Sequence, residues 1–176
     1  ACHRKCRHCY ETRFRPYVRG ALRAVVDEAR DAHPQVIANL PADFTYLDLS
    51  RPVEDGAEPY ERRPGRIILA GGELLVDPVR EEVLYPALDL LRARYAAQGV
   101  KVVVQTTGDL VTPAILDELL ARGAWMISVA GMDDFHVGRE GEKRRPLEEK
   151  LLAMFREAGM RDAREKPGLA AWDVAD

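Results

Sequence analysis

Three short apolar runs, each followed by a helix-spaced apolar stripe, constrain this chain more than any other feature. Residues 66–70 (RIILA) read as a buried strand. Asp77 then reads as an N-cap, with Pro78 at the first helical position. Val83, Leu84, Ala87, Leu88, Leu91 and Tyr95 form a helical stripe that Gly99 stops, and Pro86 should kink or split that helix. Residues 100–105 (VKVVVQ) read as a second buried strand. Thr112-Pro113 caps a helix carrying Ile115, Leu116, Leu119 and Leu120, and Gly123 ends it. Residues 125–129 (WMISV) are a third strand, and Pro146 opens a helix with Leu147, Leu151, Leu152 and Phe155 on one side, stopped at Gly159. Strand alternating with helix specifies an α/β fold with a parallel sheet and right-handed crossovers.

The chain before that alternation reads differently. Residues 18–32 carry Leu22, Val25, Val26 and Ala29 at helical spacing. Residues 33–65 are interrupted by Pro34, Pro41, Pro52, Pro59 and Pro64, so they read as an irregular insertion outside the core, with a short strand near 44–49. The 176 residues suit one domain, and 47% apolar with 31% charged residues is ordinary for a soluble globular chain. A net charge of −3 carries no nucleic-acid signature, and no apolar run reaches membrane-spanning length. No signal peptide is visible, and free thiols fit a cytoplasmic, reducing compartment. Ala1 leads straight into a cysteine loop with no strand before it, and 171–174 read like a strand cut short. Residues 1–176 are therefore expected to be a piece of a longer chain.

All three cysteines lie in the run Cys2-His3-Arg4-Lys5-Cys6-Arg7-His8-Cys9-Tyr10, spaced C-x3-C-x2-C. Three thiolates on one short loop can hold three irons of a cubane cluster and leave the fourth open to a small chelating molecule; closed clusters normally use four cysteines. Zinc is the alternative, with His3 or His8 as fourth ligand. Zinc sites usually draw ligand pairs from two separated segments, and here no second cluster follows. The odd cysteine count and tight spacing argue against disulfides. Arg4, Lys5 and Arg7 read as a solvated basic loop or, more sharply, as a dock for an acidic electron donor.

In parallel α/β folds, ligands gather at the C-terminal ends of the strands. The first strand exits into Gly71-Gly72-Glu73, the second into Gln105-Thr106-Thr107-Gly108, and the third into 130–136. Paired glycines let backbone approach a ligand closely, and Glu73 offers an anchor for an ammonium group. The cysteine loop precedes the first recognisable helix and should face the same side. Each of these loops alone is also ordinary turn chemistry, and Asp133, Asp134 and His136 fit a solvated loop.

C-x3-C-x2-C with a following aromatic, then a strand ending in Gly-Gly-Glu, a strand ending in Thr-x-Gly and a strand carrying Ser128, together resemble the radical S-adenosylmethionine (radical SAM) superfamily. The resemblance covers the chain except 33–65, and its flavour is that of the peptide-maturing and activating enzymes, to which His136 and Glu157-Ala158-Gly159 also correspond. It implies a partial TIM-like barrel with the active face at the strand C-termini. It implies that Cys2, Cys6 and Cys9 ligate a [4Fe-4S] cluster whose open iron is chelated by SAM. Tyr10 would then pack near the adenine. Gly71, Gly72 and Glu73 would receive the SAM amino group, and Thr106 and Ser128 would lie near its ribose or carboxylate. Electron transfer would cleave the sulfonium, and the 5′-deoxyadenosyl radical would take a hydrogen from a small-molecule or peptide substrate. The electron would come from an acidic donor such as flavodoxin or ferredoxin.

The chain departs from the family pattern at three positions. Leu74 stands where Pro usually follows Gly-Gly-Glu, Thr107 replaces the Asn of Thr-Asn-Gly, and Ala130 replaces the Asp of the fourth-strand motif. The gap from Cys9 to Gly71 is long, and the family's later strands, which help close the adenine site, are largely missing.

Overall fold

In a computed structural model of the chain, residues 2–4, 21–130 and 138–162 are described. They form a mixed α/β unit around a parallel sheet of three strands, β3 (Arg66–Leu69), β4 (Lys101–Thr106) and β5 (Ala124–Val129), in the order β3-β4-β5. β3 and β4 are rich in β-branched residues. The register sets Ile67 beside Val102, Leu69 beside Val104, and Val104 beside Ile127. The sheet is open, and no closed barrel is formed by the described residues. Among the described residues no helix is long and apolar enough to cross a membrane.

Helices fill the connections, as the alternation requires. Asp77–Val79 (α2) leads through a wide turn, Arg80–Leu84, into Tyr85–Tyr95 (α3). Pro86 is the cause. It lacks an N–H to continue the ladder, and at the wide turn the Tyr85 N–H reaches back five residues to the Arg80 carbonyl. The expected N-cap at Asp77 is instead Val76, and Asp77 pairs with Arg80 at 2.6 Å. Pro113–Ala121 (α4) has the expected cap, with the Thr112 hydroxyl accepting from the Ile115 N–H at 3.3 Å. Arg145–Glu157 (α5) closes the series. Leu88, Leu91 and Tyr95 of α3, Leu116 and Leu119 of α4, and Leu151 and Met154 of α5 form one core cluster with Val102, Val104 and Ile127. Each fully buried Leu in such a cluster contributes about 1.5–3 kcal/mol over its exposed state.

Residues 33–65 are not irregular. The first helix, α1 (Ala21–Ala38), runs through Pro34. An interior proline costs about 3 kcal/mol, but stopping at residue 32 would leave Ile37 outside the core cluster that buries it. Beyond the helix, the loop is stitched to the end of α3. The Tyr95 hydroxyl donates to the Pro41 carbonyl at 2.6 Å, Gln98 Nε2 donates to the Ala42 carbonyl at 2.7 Å, and Phe44 packs edge-on against Tyr95 at 5.6 Å. Gly65 is required there, because a Cβ would lie 2.6 Å from the Phe44 ring. Residues 45–64 then form an antiparallel hairpin, β1 (Thr45–Pro52) and β2 (Tyr60–Pro64), in a sheet of its own. Prolines at strand ends and on a two-stranded ribbon are compatible with that pairing.

Candidate functional site

Parallel pairing places the exits of β3, β4 and β5 at one end of the sheet, and Glu73 ties the first two together. Its side chain is 1% exposed. Oε1 accepts from the Leu75 N–H at 2.9 Å and from the Thr106 hydroxyl at 2.8 Å. Oε2 accepts from the Thr107 N–H at 2.7 Å and lies 2.6 Å from the Thr107 hydroxyl. A carboxylate offers about four lone-pair sites; three are filled by these N–H and Thr106 donors, and the Thr107 hydroxyl stands at the fourth. Gly71 makes the turn into this position with φ of 139°. Glu73 thus holds two loops in register, and the Thr106 hydroxyl is one of the groups it engages. That hydroxyl also accepts from the Gly108 N–H at 3.1 Å.

Asp109, next in the same loop, is a second junction. The Thr107 hydroxyl lies 2.5 Å from its Oδ1, so one proton is shared between two carboxyl groups and can be donated to only one at a time. Arg139, from the segment after β5, is 3% exposed; its Nη2 lies 3.1 Å from Asp109 Oδ1 and its Nη1 donates to the Thr107 carbonyl at 2.6 Å. On its other oxygen, Asp109 meets the cysteine segment. His3 Nε2 lies 2.7 Å away, and Arg4 donates through Nε at 3.1 Å and Nη2 at 2.6 Å. Burial opposes the charge on Asp109, but the Thr107 hydroxyl, His3 and Arg4 outweigh it and hold the carboxyl well below the usual range.

Of the sequence-derived candidates, Glu73 and Thr106 are therefore brought together, with Gly71 exposed and Gly72 half-buried beside them. Ser128 is half-buried on β5, paired in register with Gln105, and the Ala130 N–H donates to the Thr106 carbonyl at 2.8 Å. Cys2 is half-buried, and its sulfur accepts from the Arg4 N–H at 3.5 Å. Hydrogen bonds of this kind tune metal-bound thiolates. Cys6, Cys9 and Tyr10 lie outside the described residues, as do Lys5, Arg7, Asp133, Asp134 and His136. Among the described residues, no group of three His, Cys, Asp or Glu side chains gathers around one metal position.

Arg4 departs from its sequence reading. It is not a solvated cation, since its side chain is 26% exposed and turned onto Asp109. Asp109 and Arg139 were not singled out from sequence at all. The available signal was an acidic residue directly after Thr-Thr-Gly, opposite a loop carrying three basic residues.

Comparison with protein-family models, with curated proteins and with solved structures found no match to this chain.

Proposed function

We propose that the chain is a radical SAM core, with its three-stranded sheet a segment of a TIM-like barrel. The observation that supports this best is the C-x3-C-x2-C loop together with the place where its first residues sit, docked through His3 and Arg4 onto the strand-exit loops that also carry Gly71-Gly72-Glu73. Cys2, Cys6 and Cys9 would hold a [4Fe-4S] cluster, and Tyr10 would lie against the adenine of SAM. The donor set fits: three thiolates on one loop leave one iron free, and the Cys2 sulfur already receives a backbone N–H. The cluster supplies the electron that cleaves the SAM sulfonium and so starts hydrogen abstraction from substrate. The protein's share is positioning. Gly71 and Gly72 offer close backbone to the SAM amino group, and Ser128 is the strand-borne hydroxyl offered to its ribose or carboxylate. Thr106 acts through Glu73, which keeps the two loops in register. A small-molecule or peptide substrate, an acidic electron donor such as flavodoxin or ferredoxin, and a cytoplasmic setting complete the reading.

One observation favours a second reading. Asp109 engages His3 at Nε2, and zinc-bound histidines commonly have one ring nitrogen held by a carboxylate in this way, with the other on the metal. Anaerobic reconstitution separates the two. A cluster gives a brown protein with about four irons and four sulfides per chain, lost in Cys6→Ala. Stoichiometric zinc in a colourless protein that takes up no iron establishes the zinc module instead.

A further inference from the structure

We infer that Asp109 is a positioning residue whose task is to clasp the cysteine loop onto the exit of β4. It lies more than a hundred positions from Cys2 in sequence, yet it binds the two residues that follow that cysteine. His3 contacts it at 2.7 Å, and Arg4 donates to it twice, at 3.1 and 2.6 Å. The clasp has a rigid back. Arg139, buried beneath it, meets the other carboxylate oxygen at 3.1 Å and is itself fixed by the Thr107 carbonyl at 2.6 Å. Thr107 links the clasp to Glu73. Both guanidinium groups, Arg4 and Arg139, face the Asp109 carboxylate. Charge-assisted hydrogen bonds are about twice as strong as neutral ones. By holding the two residues next to Cys2, the clasp sets where Cys2 is presented and how firmly metal is retained.

The docking stands on geometry alone; its consequence for metal rests on the proposed cluster, and the two are measured separately. First, the alkylation rate of Cys2 by iodoacetamide is followed in metal-free, folded protein by peptide mapping. Asp109→Asn should raise it about tenfold, the factor equivalent to one lost charged hydrogen bond. Arg4→Ala is the sharper variant. It removes both Arg4 hydrogen bonds to Asp109 and so opens the clasp, which speeds alkylation. Arg4→Ala also tests the clasp from the exposed side if Asp109→Asn does not fold. Second, iron retention against a chelator should fall about tenfold or more in Asp109→Asn, as for other residues that orient metal ligands. Faster alkylation in Arg4→Ala supports the clasp. Unchanged or slower alkylation in that variant overturns it, whatever metal is bound. If the wild-type chain takes up no iron, the cluster reading falls and the alkylation rates still decide the clasp.

Discussion

At the residue scale, Glu73 and Gly108 carry the site in opposite ways, one by what it accepts and the other by what it leaves out. Glu73→Gln keeps the shape but replaces one acceptor oxygen with an NH2 that must face N–H or O–H donors. Its measurable effect is therefore on the unliganded fold, a loss of about 1–3 kcal/mol in urea unfolding. Full stability in the variant, coupled with weaker SAM binding, would instead support the ammonium-anchor role expected from sequence. Gly108 has φ of 83°, and a Cβ there would lie 2.8 Å from Leu151 Cδ1 and 2.9 Å from Val129 Cγ1. Gly108→Ala combines backbone strain with overpacking and should destabilise by about 1–3 kcal/mol, read as a lowered thermal midpoint. The pairing of Gly-Gly-Glu with Thr-Thr-Gly was visible in the chain as two separate strand exits. That the glutamate of one is bound by the threonines of the other was not, because it depends on how two parallel strands stagger, which no local pattern records.

At the element scale, the hairpin shows where local reading stops. Residues 45–64 alternate poorly and carry prolines, so periodicity predicted no more than a short strand. Pairing across the ribbon, Thr45 with Pro64 and Asp48 with Glu61, supplies what the sequence lacks. Helix α1 fails in the other direction. Its proline signals a stop, but Val26 and Ile37 are both buried, so packing on either side of Pro34 overrides the signal. The three strand–helix units after residue 65 were legible because each combines a buried run, a capping residue or proline, and a glycine stop. These two corrections sharpen a proteolysis experiment. The loop at 40–44 is tied to Arg94, Tyr95 and Gln98 and should resist. First cleavage by a protease of acidic-residue preference is expected in the exposed hairpin tip at Glu54 or Asp55. Early cuts at 33–44 with an intact tip would show that the stitched segment opens before the ribbon does.

At the scale of the whole molecule, the parallel sheet divides its labour between its two ends. At the strand N-termini, Lys101 and Arg66 lie over the Trp125 ring at 4.8 and 5.4 Å, where the register between β4 and β5 shifts. These contacts are structural. At the C-termini, Glu73 is held by backbone and hydroxyl donors, Asp109 faces Arg4 and Arg139, and segments from four parts of the chain meet: 2–4, 73–75, 106–109 and 139. Burying two carboxylates at that end is costly unless each is fully satisfied, and a fold that needed only stability could fill the same space with apolar side chains. The expense is understandable if the end of the sheet must stay polar and geometrically fixed for a bound cofactor. That argument leads to the last prediction. With a loaded, reduced cluster and dithionite as electron source, the full-length protein should release 5′-deoxyadenosine and methionine from SAM, slowly even without substrate, because cleavage depends on the cluster and SAM whereas substrate mainly tunes it. Product is quantified by chromatography, with the Cys6→Ala variant as blank. Bound SAM with no 5′-deoxyadenosine, with or without candidate substrates, would mean that the polar junction supports a metal site without radical chemistry. Thr107 and Ala130 would then be the first positions to restore. Thr107→Asn would remove the hydroxyl that lies between Glu73 and Asp109, so a gain of cleavage in that variant would locate the defect in the loop-to-loop link itself.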